Sequence, residues 1–503
     1  MEIKNLKPRL YQEKIFYSAT KNNTLVILPT GLGKTLIALM LSVHRLKNFP
    51  NSKILFLAPT KPLCKQHYKT FLKNTKTGKN LSLLTGTIKP EERKIIWKDS
   101  DIIFATPQTI TNDLISGKIN LNDVSLIIFD EAHRAVGDYD YVFLAKHYKK
   151  QAENFRILAL TASPGSSEVE INTIRKNLFI NSIEIRHEKS SDVSPYVEKR
   201  DLKKVFINLP DNFKEIKNLF ENSLKRRLVE LKRKNLIESS DSNKIRKGIL
   251  LKLQSTVAAE ANQTKNYDLM KDVSTIAACI KIMHCLELLQ TQGIKTLSKF
   301  LEKLKKQYYK VKATKDLMND TEFREAMDII FKMESSGIEH PKFKKLFEMI
   351  NQDSKTIVFT NYRNTIKMII ETLKEKKGIT PVRFIGQKEG MNQKKQIETI
   401  EKFKKGDFNV LVSSSIGEEG LDIPEVDRVI FFEPIPSALR TIQRRGRTAR
   451  HSPGEVILLI TKDTIDEKYY WVSFHKERRM RNALKEIKKN VDNPQKRLEE
   501  FGK

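Results

Sequence analysis

Asp130 and Glu131 stand side by side where an apolar run ends, in IIFDEAH (127–133). Adjacent carboxylates at the end of a buried strand suit two tasks. Asp130 is placed to hold a metal ion, and Glu131 to orient and deprotonate an attacking water. Upstream, LPTGLGKT (28–35) follows an apolar run and opens a helical pattern. Its Gly31 and Gly33, with Pro29 and Thr30 before them, let the backbone curl so that N–H groups and a helix N-terminus cradle phosphates. Lys34 would reach the β- and γ-phosphates, and Thr35 would ligate Mg²⁺. Leu28 stands where the usual phosphate loop has its first glycine. The chemistry this set points to is hydrolysis of a nucleoside triphosphate. Near the other end, QRRGRTAR (443–450) packs four arginines into eight positions. A run like that is commonly a solvated face, but here it follows the strand-like VDRVIFFEP (426–434).

These groups need a scaffold, and short β-rich runs supply one. The first region holds TLVILPT (24–30), KILFLAPT (53–60), DIIFATP (101–107), LIIFDEA (126–132) and ILALTAS (157–163). The second holds KTIVFTN (355–361), NVLVSSS (409–415), RVIFFEP (428–434) and EVILLIT (455–461). Strands without polar alternation, separated by helices, predict buried parallel sheets covered on both faces. Between them the pattern becomes Leu/Lys-rich and helical, with Ile276, Ile280, Met283 and Leu286 at helical spacing. The fold class is therefore α/β, with two parallel-sheet domains and an inserted α-helical domain. The divisions fall at 1–195, 196–340 and 341–503.

The formal net charge is +31, from 92 Lys+Arg against 61 Asp+Glu, which points to a polyanionic partner. Cys64, Cys279 and Cys285 form no C-x-x-C pair, so a four-cysteine zinc module is excluded and a reducing cytoplasm is expected. No signal peptide and no membrane-spanning run is expected. The basic stretch KRRLVELKRK (225–234) reads as a solvated amphipathic helix, and the aromatic YYW (469–471) as packing.

The ordered set of short stretches resembles the superfamily 2 nucleic-acid helicases and translocases, with Asp130-Glu131-Ala132-His133 as the acidic motif. That resemblance implies two RecA-like motor domains using ATP and Mg²⁺. It makes Gln12 of PRLYQ (8–12) the adenine contact. It makes APTKPL (58–63) and ATPQTI (105–110) the grips on one strand, with Thr60, Lys61 and Thr106 as phosphate ligands. His133, Thr161, Ser163 and Arg444 would couple the two activities. In the second domain, Thr360, Asn361, Ser414 and Ser415 would touch the nucleic acid, and Gly420 and Asp422 would face the nucleotide. Gln443 would lie against the attacking water, and Arg447 and Arg450 would act as arginine fingers on the γ-phosphoryl group.

The whole chain is most similar to the archaeal Hef family of fork-processing helicases, relatives of the Fanconi anaemia M translocase. ILPTGLGKTLIALM, FDEAHRAVGDYDYVF, ELLQTQGIKTL (287–297), IGEEGLDIPEVDRV and IQRRGRTARH carry the likeness. It implies ATP-dependent remodelling of branched DNA such as stalled forks, in repair and fork restart, with the insert holding the branch. It also implies a cytoplasmic protein, here without the nuclease domain many members carry. The alternatives are a double-stranded RNA translocase and a nucleotide-gated clamp that hydrolyses weakly. In the tail, Gln495, Leu498 and Phe501 are spaced as in the box that docks on PCNA-type sliding clamps.

Overall fold

The computed structural model describes residues 2–4, 6–29, 31–76, 78–162, 164–165, 167–187, 190–196, 201–242, 244–385, 390–414, 426–434 and 455–492. The first lobe carries β1 (Glu2–Ile3), β2 (Thr24–Ile27), β3 (Lys53–Leu57), β4 (Thr75–Lys76), β5 (Leu81–Leu84), β6 (Ile102–Ala105), β7 (Val124–Phe129), β8 (Ile157–Thr161) and β9 (Ser182–Ile185). β1 and β4 form a small antiparallel ribbon, and the other seven form a parallel sheet in the order β5-β6-β3-β7-β8-β2-β9. Ile128, for example, lies level with Phe56 of β3 and Leu158 of β8. Alternate residues serve opposite faces, as strand geometry requires. Leu25, Leu55 and Phe129 enter one core with Tyr141 and Tyr148, whereas Val26, Phe56 and Phe104 enter the other with Ile15 and Ile37. Both faces are covered, which is why the strands read as unbroken apolar runs.

The second lobe repeats the plan with β10 (Asp201–Ile207), β11 (Thr356–Phe359), β12 (Pro381–Phe384), β13 (Val410–Ser413), β14 (Arg428–Phe431) and β15 (Glu455–Thr461). All are parallel, in the order β10-β15-β14-β11-β13-β12. The nine apolar runs seen in the sequence are all strands. One boundary needs correction. Residues 201–207 were expected in the helical insert, but they pair along their whole length with β15. Backbone pairing with a distant strand decides this, and the local pattern DLKKVFI carries no trace of it.

The bundle itself is built from the helices Asp211–Arg233, Lys247–Thr264, Tyr267–Thr291, Ile294–Lys305, Lys312–Met318 and Thr321–Ser335. Phe213, Phe220, Leu228, Ile276, Cys279, Cys285 and Phe323 fill its core. The cysteines are free and buried, and burial pushes the Cys64 and Cys279 thiols up to about 12, so packing is their role. Half of the basic residues in 225–234 of the first bundle helix are spent internally, while Lys225, Lys232 and Arg233 are exposed. Arg226 and Arg227 reach Asp320 at 3.0 and 2.7 Å, and Lys234 reaches Asp272. Asp320 also caps the helix Thr321–Ser335 by accepting the Phe323 N–H at 3.1 Å.

One end of the bundle is fastened to the second lobe. The Tyr362 hydroxyl donates to Glu287 at 2.8 Å, Thr365 donates to Gln292, and the backbone N–H of Ile465 donates to Gln290 at 2.8 Å. Glu339 accepts the N–H groups of Ile294 and Lys295 at 2.6 and 3.0 Å. Much of ELLQTQGIKTL is thus a joint between domains.

From Ile465 to Asp492 a long helix packs on β15 and the bundle helix Tyr267–Thr291, and reaches β9 and the helix Glu168–Asn177 of the first lobe. Its Tyr470 is buried in the second-lobe core, as packing predicts, while Trp471 remains 45% exposed. Among the described residues no helix is long and apolar enough to cross a membrane.

Beneath that helix, Lys342 and Asp466 form an ion pair with both side chains fully buried. Asp466 also accepts the N–H and hydroxyl of Thr461, at 3.2 and 3.0 Å. Removing one partner strands the other charge in the core. Asp466→Ala is expected to cost about 3–5 kcal/mol in guanidinium unfolding, and the double change Lys342→Met with Asp466→Leu to restore most of it.

Candidate nucleotide site and nucleic-acid interface

β2 ends in the phosphate-loop segment, and Gly33 caps the helix Lys34–Asn48. Gly31 and Gly33 have φ of 87° and 81°, the left-handed region that a phosphate cradle needs. A Cβ on Gly33 would lie 2.3 Å from Gln12 Nε2. Gln12 is stitched to the loop. Its Nε2 donates to Leu32 O at 3.1 Å, its Oε1 accepts the Arg9 N–H at 2.8 Å, and the Tyr11 hydroxyl donates to Leu32 O at 2.8 Å. The expected base reader and the phosphate loop therefore form one unit.

Lys34 Nζ donates to Leu28 O at 2.8 Å. Burial lowers its pKa, against the upward pull of Glu131 and Asp130. β7 delivers Asp130, 5% exposed, with its carboxylate 2.8 Å from His67 Nε2. Burial raises the Asp130 pKa, but His67, Lys34 and the Glu131 N–H outweigh it and leave the carboxyl below its ordinary value. On its other side, His67 Nδ1 lies 3.4 Å from Thr35 Oγ1. A neutral imidazole can satisfy both, donating to the carboxylate and accepting from the hydroxyl.

Sequence reading missed His67. Its signal was the burial face of the helix Lys61–Asn74, where Cys64, His67 and Phe71 follow one another at helical spacing. The aromatic ring of Phe56 supports it at 4.4 Å. Thr35 and Asp130, the two proposed metal holders, are thus already linked. Among the described residues no cluster of three His, Cys, Asp or Glu side chains could cage a metal. One carboxylate and one hydroxyl suit instead a cation that brings phosphate oxygens as its remaining ligands.

Glu131 has φ of 50°, unusual for a residue with a Cβ and characteristic of strain stored at working sites. Its Oε2 lies 3.3 Å from His133 Nδ1, which in turn is 3.2 Å from Thr161 Oγ1 at the end of β8. The structure thus joins His133 and Thr161 to the acidic pair.

The strand-grip candidates lie along the same edge. Thr60 precedes the helix Lys61–Asn74, and its buried hydroxyl has no hydrogen-bond partner among the described residues. Lys61 Nζ reaches Thr87 Oγ1 at 3.2 Å, and Thr106 stands at the N-cap position of the helix Pro107–Ile115, its hydroxyl 2.8 Å from that of Thr109. Thr87, Lys89, Arg93, Thr106, Gln108 and Asn112 line a cleft of about 630 Å³. The segment 85–93 was also missed, because its strand LSLL lacks the unbroken apolar run. In the second lobe, Thr360 is buried with its hydroxyl 3.2 Å from Glu433, and Glu433 also accepts the Asn361 N–H. Ser414 is buried, its N–H 3.2 Å from Phe384 O. Thr30, Ser163, Ser415, Gly420, Asp422, Gln443, Arg444, Arg447, Arg450, Gln495, Leu498 and Phe501 lie outside the described residues.

Residues 9–171 match the DEAD/DEAH box helicase family, and residues 341–452 the helicase conserved C-terminal domain. Residues 212–337 match a helical bundle family provisionally described as that of an ATP-dependent RNA helicase. The crystal structure of the Pyrococcus furiosus Hef helicase domain is similar, with a TM-score of 0.75 and 46% identity, over 92% of this chain and 98% of that one. A provisionally named ATP-dependent RNA helicase of Methanocaldococcus jannaschii is 41% identical over 96% of this chain, and an ATP-dependent DNA helicase of Neurospora crassa is 36% identical over 92%. The chain spans 61% and 42% of those two relatives' lengths.

Because Gly33 has no room for a side chain, Gly33→Ala must open the loop and displace Gln12. Binding of a fluorescent adenine nucleotide is expected to weaken roughly tenfold or more, with the thermal transition of the protein largely kept.

Proposed function

The chain belongs to the Hef type of DEAD/DEAH-box helicase, and we propose that it is an ATP-driven motor that remodels branched DNA such as stalled forks. The observation that carries this reading is the helix Lys61–Asn74. Its first residue, Lys61, reaches Thr87 of the strand-grip cleft, and its His67 touches both Thr35 and Asp130 of the nucleotide site. One rigid element therefore reports on both ligands.

In this reading bound ATP with Mg²⁺ supplies the phosphoanhydride whose cleavage drives the cycle. Thr35 and Asp130 hold the cation, Lys34 holds the phosphates, and Glu131 orients and deprotonates the attacking water. Gln443, Arg447 and Arg450 enter from the second lobe, so hydrolysis requires lobe closure. Ser414 and Ser415 contact the tracked strand, Gly420 and Asp422 the nucleotide, and Ser163 and Arg444 join the coupling set. The cytoplasm is the inferred compartment, from the three unpaired cysteines.

A second reading, a duplex-RNA motor, takes its support from the bundle family and the Methanocaldococcus relative, both described as ATP-dependent RNA helicases. Steady-state ATPase compared at matched salt on forked DNA, linear duplex DNA, single-stranded DNA and duplex RNA separates the two. Strongest stimulation by forked DNA is expected, and strongest stimulation by duplex RNA would overturn the DNA reading.

Two variants test the chemistry in the same assay. Glu131→Gln is expected to retain nucleotide binding and to lower turnover by about 10²–10⁴. Lys34→Ala should weaken binding as well, and normal turnover in Glu131→Gln would remove its assigned role. Sliding-clamp docking through Gln495, Leu498 and Phe501 is a separate proposal. A peptide of residues 490–503 should bind the clamp of the same organism more tightly than its Leu498→Ala, Phe501→Ala version, and equal binding would end it.

A further inference from the structure

Among the described residues Tyr309 is the most exposed of the large apolar side chains, at 94%. It stands in the turn that follows the bundle helix Ile294–Lys305, at the sequence KLKKQYYKVK (303–312). Tyr308 is half-buried and meets it edge-on, with ring centroids 4.9 Å apart and planes at 89°. An aromatic ring held out by its neighbour gains nothing from burial, so folding alone does not account for it.

The charge around it is one-sided. Lys303, Lys305, Lys306, Lys310 and Lys312 are all exposed, and no acid interrupts the stretch from 303 to 312. None of the five makes an ion pair among the described residues. Elsewhere in the bundle, Arg226, Arg227, Lys234 and Lys247 are matched by Asp320, Glu322, Asp272 and Glu287. The exposed Lys225, Lys232 and Arg233 make no ion pair among the described residues, but they have no raised aromatic beside them in sequence. A raised aromatic flanked by unmatched lysines has the two parts of a platform for single-stranded nucleic acid. The ring stacks on a base, and the ammonium groups hold the flanking phosphates.

Its position is set by the joint described above. The helix Ile294–Lys305 starts where Glu339 clamps Ile294 and Lys295, close to the second-lobe residues Tyr362 and Thr365. Its twelve residues carry the turn about 18 Å from that clamp. On the order of five nucleotide steps would fit in that distance.

We propose that the turn 306–311 is a nucleic-acid contact in which Tyr309 stacks on an unpaired base beside a branch point, while Lys305, Lys306, Lys310 and Lys312 grip the adjoining phosphates. The assignment to a branch rests on the reading of the protein as a branched-DNA motor. Stacking on an unpaired base does not.

The test uses the full chain and two oligonucleotide probes, a fork and a single strand, each with 2-aminopurine at an unpaired position. Tyr309→Ala is expected to bind both probes roughly tenfold more weakly and to lose the fluorescence change, while Tyr309→Phe keeps both. Lys305→Glu, Lys306→Glu and Lys310→Glu together should flatten the dependence of log Kd on log salt by about two to three. Unchanged affinity and fluorescence of Tyr309→Ala on both probes overturns the proposal. If the unaltered protein shows no preference for the fork, the branch reading fails instead. A loss in Tyr309→Ala on the single strand would then still establish the contact.

Discussion

Every strand pairing in the two large sheets is parallel. That single constraint organises the molecule. A parallel strand must be left at its carboxyl end and re-entered from its amino end, so each sheet gathers all its outgoing loops on one edge. Strands buried on both faces tolerate polar groups mainly near their ends, as Thr24, Ser125 and Thr356 show at the opposite edge. Lys34, Thr60, Thr106, Asp130 and Thr161 therefore lie along one margin of the first sheet, although many residues separate them in the chain. Thr360, Ser414 and Glu433 do the same in the second.

What was legible in the sequence follows from this. Long apolar runs identify central strands, because burial on both faces leaves a one-dimensional signature. β9, with SIEI, and β5, with LSLL, sit at the sheet's edges and are only partly covered, so that signature fades. β10 is harder still, since its two adjacent lysines look helical and its place depends on β15. The phosphate loop and the acidic pair were readable because each does its chemistry with neighbours in sequence. His67 was not, because its partner Asp130 is 63 positions away. The internal ion pairs of Arg226 and Arg227 were hidden for the same reason, Asp320 lying more than ninety positions along.

The correction at residues 201–207 alters how the bundle belongs to the molecule. The chain leaves the first lobe, lays down β10 in the second, and only then builds the helices. It returns through Pro341–Met349, whose Phe343 and Leu346 lie in the second-lobe core. Both roots of the bundle are thus in the second lobe, and the polar joint through Glu287, Gln290 and Gln292 fastens its base there as well. The bundle travels with that lobe as a rigid attachment.

A rigid attachment is also a gear. The helix Ile294–Lys305 holds the turn that follows it about 18 Å out from the Glu339 clamp, so any rotation of the second lobe reaches that turn as a displacement. One extra turn in this twelve-residue helix would carry that point about 5 Å farther from the clamp.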